Sequence, residues 1–361
     1  MAELLKEVYN KEFLHELCSS ITLYYPEFDQ EGFILAVLDN PWEGLKLKER
    51  MRKISTKLFE YLPEYEKAIE ILLKVNNISV GFPYLILPDF VEVFGLDYLD
   101  ISMLALKEFT KSSSAEFAVR PFLTKYTDRA VAYMTAFAKD ENEHVRRLSS
   151  EGMRPRLPWG GNLPQYKKDP STVLKILNVL KEDDSLYVRK SVANNLNDIS
   201  KDNPQIVIDI AKKWIGRNKS TDWILRHGLR TLIKKANPEA LALFGYSHKQ
   251  DQFMKESSFH TNTNAVHRGE DCMINYSLTV ETKESLHIRI EYAIDFVKSG
   301  NKVSRKIFLL SDRTLIGNHV LQGSKFHSFK ELTTRKHYPG LHKIVLLVNG
   351  KEIAETSIIL Q

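Results

Sequence analysis

A short fragment recurs three times in the first two thirds of this 361-residue chain: EHVRRLSSEG at 143–152, LYVRKSVANNLNDI at 186–199 and WILRHGLRTLIKK at 223–235. Superimposing the pairs Val145-Arg146, Val188-Arg189 and Leu225-Arg226 gives periods of 43 and 37 residues. That is the period of a HEAT-type helical pair, a unit that cannot bury its apolar face alone and must stack on its neighbours. The rest of residues 1–250 fits: segment 54–75 places Leu58, Tyr61, Leu62, Tyr65, Ile69 and Leu72 at helical spacings, with Pro63 starting a new helix. Turn signals at Asp39-Asn40-Pro41, Gly81-Phe82-Pro83 and Asp202-Asn203-Pro204 keep the helices short. A stack of such pairs is an α-solenoid with a concave face, and the repeated Arg is expected to form a ladder of cations on one surface.

After Gln250 the pattern changes. Segment 251–265 is polar and turn-rich and reads as a linker. From 266 to 361 the chain alternates, with strands expected at Cys272–Val280, Leu286–Phe296, Val303–Leu310, Thr314–Leu321, Lys343–Val348 and Ile353–Leu360. Asn349-Gly350 between the last two is a strong hairpin signal. About seven short strands in roughly 100 residues suggest an immunoglobulin-like β-sandwich. The expected architecture is therefore multidomain, α then β: a HEAT-like-repeat α-solenoid over 1–250, a linker over 251–265 and the sandwich over 266–361.

Charge narrows the partner. Lys and Arg number 10 against 18 Asp and Glu in residues 1–100, 26 against 16 in 101–250, and 15 against 12 in 251–361. The basic middle third is what a polyanion-binding surface needs, since each neutralised phosphate releases counterions; a solvated face with no partner is the plainer alternative. No stretch nears the roughly 18 apolar residues that cross a bilayer, and the N-terminus lacks the basic flank and apolar core of a signal peptide. A cytoplasmic, monomeric protein without a membrane role is expected. Cys18 and Cys272 are too few and too distant for a disulfide framework or a Cys-rich metal site. There is no phosphate-binding Gly loop followed by Lys, no HExxH and no zinc-deaminase spacing, so no cofactor and no metal are expected.

One stretch stands out, DENEHVRRLSSEGMRPRLPWGGNLPQYKK at 140–168. It reads as a helix carrying Glu143, Arg146, Arg147 and Glu151, a C-cap at Gly152, and a Pro-rich loop with Arg154, Arg156 and Trp159. Trp159, framed by Pro158 and Gly160-Gly161, is suited to presentation from the loop, where its face stacks on a base or holds a cation; a packed loop anchor is the alternative. Glu151, taken alone, reads as a structural ion pair with Arg147 or Arg154.

Three blocks, PWEGLKLKERMRKISTKLFEYLP at 41–63, SSSAEFAVRPFL at 112–123 and EHVRRLSSEGMRPRLPWG at 143–160, resemble the AlkC branch of the AlkC/AlkD family of HEAT-like-repeat DNA glycosylases. The C-terminal part resembles the immunoglobulin-like domain of some AlkC members. The resemblance implies hydrolysis of the N-glycosidic bond of 3-methyladenine, 3-methylcytosine and 1-methyladenine in duplex DNA by a monofunctional enzyme. It further implies a bent duplex, with the base not enclosed in a pocket. By position in the motifs, Glu151 and Glu116 are implied as the acidic residues at the lesion, and Trp159 as the aromatic that contacts it. In a bacterium such an enzyme works at the nucleoid.

The bottom-up chemistry is consistent with that: a cationic base is already a good leaving group, and a carboxylate stabilises the oxocarbenium-like transition state. Expected DNA contacts are the repeat residues Arg146, Arg189 and Arg226, with Arg147, Arg154 and Arg156 near the loop. Lys190, Lys212, Lys213 and Arg217 complete the set. For each Arg an intra-repeat ion pair remains the competing reading. The β-domain fits either a second DNA contact or a partner-binding module. The competing class is a non-catalytic HEAT-repeat DNA-binding or adaptor protein.

Overall fold

The computed structural model describes residues 5–247, 249–331 and 336–361. The chain divides into two compact units, the first 1–207 with 216–228, the second 208–215 with 229–361. Residues 332–335, within the basic stretch from Lys325 to Lys336, lie outside the described residues.

The first unit is helical. The segment at 54–75 is split as its proline requires: one helix ends at Tyr61 and the next runs Tyr65–Asn76. Helices Leu47–Tyr61, Ile86–Phe94, Leu99–Ser112, Glu143–Glu151, Leu186–Asp202 and Lys219–Gly228 pack in succession, each against the next. The three recurring fragments thus lie on neighbouring helices, and Val145, Val188 and Leu225 are fully buried between them.

The expected ladder of free cations is not what the repeat builds. Arg146 donates through Nη1 to the carbonyls of Asp140 and Glu141, at 2.9 and 2.7 Å. Arg189 donates in the same way to Asp183 and Asp184, both at 2.8 Å. In these two repeats the guanidinium folds back five and six residues to satisfy the turn that opens its own helix. Arg146 also grips the carboxylate of Asp183 at 2.6 and 3.0 Å, and that carboxylate accepts the Ser185 N–H at 2.9 Å. One repeat is thereby stitched to the next. Lys107 makes the corresponding link to Asp140 at 2.7 Å, and Asp140 accepts the Asn142 N–H.

The second unit contains the strand-rich, immunoglobulin-like domain. Its strands are β1 (Met254–Thr261), β2 (Ala265–Val266), β3 (Asp271–Val297), β4 (Val303–Ser328), β5 (Gly340–Val348) and β6 (Lys351–Leu360). The order is β1-β3-β5-β6-β2, with β4 on the other side of β3. The segment expected as a linker is largely β1, antiparallel to β3 from Ile274 to Val280. Its polar sequence misled because it is an edge strand with only Phe259 buried. The four short strands expected between 272 and 321 are two long ones. β3 and β4 pair almost end to end, and the polar residues at 282–285 form an irregularity inside β3 where a turn was expected. The Asn349-Gly350 hairpin forms as expected, with φ of 46° and 78° joining β5 to β6.

Candidate active site

Glu151 ends the Glu143–Glu151 helix, whose N-cap Asn142 accepts the His144 N–H at 2.9 Å. Gly152 follows, and a Cβ there would lie 2.6 Å from Val119 Cγ2 and 3.0 Å from Met134 Cε. Only glycine lets this helix end approach the 115–119 turn so closely, and that turn carries Glu116. The two carboxylates are brought together by this packing.

Arg147 joins them. It donates to Glu116 at 3.1 and 3.2 Å, lies 3.9 Å from Glu151, and its guanidinium sits 4.9 Å from the centre of the Tyr187 ring. Glu116, 8% exposed, also accepts from the Ser114 hydroxyl. Burial opposes its ionisation, but the Arg147 charge and the hydrogen bonds from Arg147 and Ser114 outweigh it, so the carboxyl lies below its ordinary range. Glu151, 6% exposed, has both oxygens engaged, one by Arg154 at 2.7 Å and the other by the Ser191 hydroxyl at 2.6 Å. Arg154 continues to Asp198 at 2.8 Å, and Asp198 takes Lys201 at 2.8 Å. Arg147 and Arg154, expected on DNA phosphates, are spent within this buried network; a buried carboxylate requires such partners.

Trp159 is presented. It is 76% exposed and adopts φ of 64°, a left-handed conformation that a bulky L-residue adopts only under constraint. Its carbonyl accepts from Lys48 Nζ at 2.8 Å, while the same ammonium lies 4.6 Å from the Phe117 ring centre. Trp159 and Glu116 border one cavity of about 470 Å³, whose other walls include Phe82, Phe117, Ser114 and Tyr9. That volume falls within the roughly 300–1,000 Å³ of small-molecule sites.

The remaining expected DNA contacts are dispersed. Arg156 pairs with Asp202 at 2.6 and 3.0 Å, and Lys212 pairs with Glu239. Lys190, Lys213 and Arg217 are exposed, and Arg226 is half-buried. Lys212 and Lys213 belong to the second unit and the others to the first. Sequence reasoning missed Arg120, Ser191 and Asp198. Arg120 stands in the same block as Glu116, but nothing in a linear pattern shows that a guanidinium will be buried. Among the described residues no three His, Cys, Asp or Glu side chains are grouped as a metal site would require, and no helix is long and apolar enough to cross a membrane.

Comparison with known proteins gives this arrangement a context. Residues 110–232 match the family described as DNA alkylation repair enzyme, and residues 255–361 match the C-terminal Ig-like domain of the YhaZ family. The chain is 42% identical to the uncharacterized protein YhaZ of Bacillus subtilis over 96% of each chain. It superimposes with a TM-score of 0.92 and 39% identity, over 99% of each chain, on the Pseudomonas fluorescens alkylpurine DNA glycosylase AlkC bound to DNA containing an abasic site analog. The chain belongs to the AlkC branch of the DNA alkylation repair enzymes. In this AlkC-branch protein, Glu116, Arg147, Glu151 and Trp159 all fall within the region matched to the repair family. The Ig-like match begins inside β1, which places that strand within the domain.

Proposed function

We propose that this chain is a monofunctional DNA glycosylase that removes cationic N-alkylated bases, such as 3-methyladenine, 3-methylcytosine and 1-methyladenine, from duplex DNA. The C1′–N bond breaks and the base leaves with the bonding pair, which neutralises its positive charge. The deoxyribose becomes oxocarbenium-like, and water adds to C1′ and gives up a proton. The protein's main task is to stabilise that cation and to hold the lesion open, so the glycosidic bond is cleaved within a bent duplex and the base is not first enclosed.

The observation that carries this reading is the state of Glu116. It is held ionised beside the cavity that Trp159 borders, and the hydrogen bond that its Oε1 accepts from Arg147 is long, at 3.2 Å. A carboxylate oxygen has further acceptor capacity, so Glu116 can still take up positive charge developing on the sugar. Glu151, with both oxygens engaged at 2.6–2.7 Å, fixes the geometry of the cluster. The exposed indole offers a π-face to a cationic base. The stitched repeats support a HEAT-like solenoid as the scaffold.

The test is release of free base from methylated duplex DNA by the wild type, Glu116→Gln and Glu151→Gln. Wild-type release of 3-methyladenine or 3-methylcytosine, with the larger loss in Glu116→Gln, supports the reading. Salt-sensitive DNA binding without release by the wild type leaves a binding module and sinks the glycosylase assignment.

A further inference from the structure

The loop that presents Trp159 begins next to Glu151 and is held at both ends by one side chain. Arg120, 5% exposed, donates through Nη1 to the carbonyls of Gly152 and Arg154, at 2.8 and 3.0 Å. Its Nε donates to the carbonyl of Gly161 at 2.8 Å, and its Nη2 donates to the same oxygen. Gly152 immediately follows Glu151, and Gly161 lies two residues beyond Trp159. A single planar fork therefore spans the loop from one candidate site residue to the other.

Among the described residues Arg120 makes no ion pair. Burial, with the nearby Arg154 charge, pulls its guanidinium down to about 10, so it remains charged at neutral pH. A buried cation without a contacting carboxylate is a costly arrangement, offset here by backbone carbonyls and by the nearby charges of Asp198 and Glu151. What it holds in return is a strained backbone, the left-handed φ of 64° at Trp159, with the indole kept exposed. Lysine has the charge but not the fork, and cannot meet carbonyls on two sides with fixed geometry.

We propose that Arg120 is a positioning residue for base excision, setting the Trp159 indole relative to Glu151 without itself touching DNA. The proposal rests on the glycosylase reading, because the step that it affects is cleavage at the lesion. It predicts an effect transmitted wholly through Trp159.

A double-mutant cycle between Arg120→Lys and Trp159→Phe in the full chain tests this. Three quantities are read: the single-turnover rate of 3-methyladenine release, affinity for the same duplex with its salt slope, and acrylamide quenching of Trp159, taken as the difference from the Trp159→Phe partner. Arg120→Lys is expected to slow release about tenfold, to leave affinity and salt slope unchanged, to alter quenching, and to cause no further loss in Trp159→Phe. Losses that multiply in the double variant, a reduced salt slope, or lowered stability with unaltered quenching each overturn the proposal. Should Arg120→Lys not fold, Lys48→Met cuts the other tether of Trp159 at an exposed site. Its loss of rate must likewise vanish in Trp159→Phe. Altered quenching in a protein that releases no base at all would overturn the glycosylase reading and leave the Arg120–Trp159 coupling standing.

Discussion

Arg147 donates to both oxygens of Glu116, at 3.1 and 3.2 Å, and in doing so places one cation between two carboxylates that lie 35 residues apart in sequence. Removing it leaves Glu116 buried without its counter-charge. Arg147→Met is expected to destabilise the fold by about 3 kcal/mol, the scale for breaking a buried pair, measured by urea unfolding. The pH dependence has a definite sign. Glu116 is depressed below its usual 4.5, so its pair contributes fully above that pH and is lost on acidification below it. Arg147→Met should therefore show a shallower loss of stability below pH about 4.5 than the wild type. An acid limb that is unchanged would show that the pair contributes nothing.

Trp159 sets stability against function. Left-handed backbone costs a bulky residue ~1–2 kcal/mol, more than the ~0.5–1 kcal/mol of chain entropy that glycine adds. Trp159→Gly should thus unfold at an equal or slightly higher urea concentration while losing base release. A variant that is destabilised by more than about 1 kcal/mol would mean that the indole is a packing anchor after all.

The repeat arginines and their exposed neighbours should separate under salt titration. Arg189→Ala loses two hydrogen bonds to backbone carbonyls and should cost about 2 kcal/mol of stability while leaving the salt slope of DNA binding unchanged. Lys190→Ala should leave stability unchanged; if Lys190 contacts a phosphate, the slope falls by about 0.9. A fall in slope for Arg189→Ala would restore that arginine to the phosphate contacts.

His342 makes the Ig-like domain sensitive to acid. Its ring is fully buried beside Phe296 and Phe329 and bonds to the carbonyl of Gly340 at 3.0 Å. Burial, helped by the Lys298 charge, lowers its pKa below 6.5. The unfolded chain therefore takes up the proton first: the contribution is complete above pH about 6.5 and declines as pH falls through the folded-state value. Thermal unfolding at pH 7.5 and 5.5 should show a larger loss for the wild type than for His342→Phe, which carries no titrating group. Equal losses would place the acid sensitivity elsewhere.

The period of 43 and 37 residues, the helical phase within it, the change to alternation after Gln250 and the Asn349-Gly350 turn are all local signals, set by the repeat distances of helix and strand. They were legible in the chain alone, as were the two blocks that carry Glu116, Glu151 and Trp159. What the repeated arginines do was not legible. Arg146 and Arg189 have the spacing of a cation ladder, but a guanidinium on a packed helix meets the carbonyls of its own opening turn before it meets solvent. Whether β1 was linker or strand also depended on a partner, the first half of β3, that lies beyond it in the chain. The tertiary structure alone decided which charges neutralise one another, that Gly152 lets Glu151 approach the turn bearing Glu116, and that Arg120 closes the Trp159 loop. The physical reason is common to all three: electrostatic and steric terms act over a few ångströms of space, and residues 30 to 45 positions apart reach that distance only when the helices have packed.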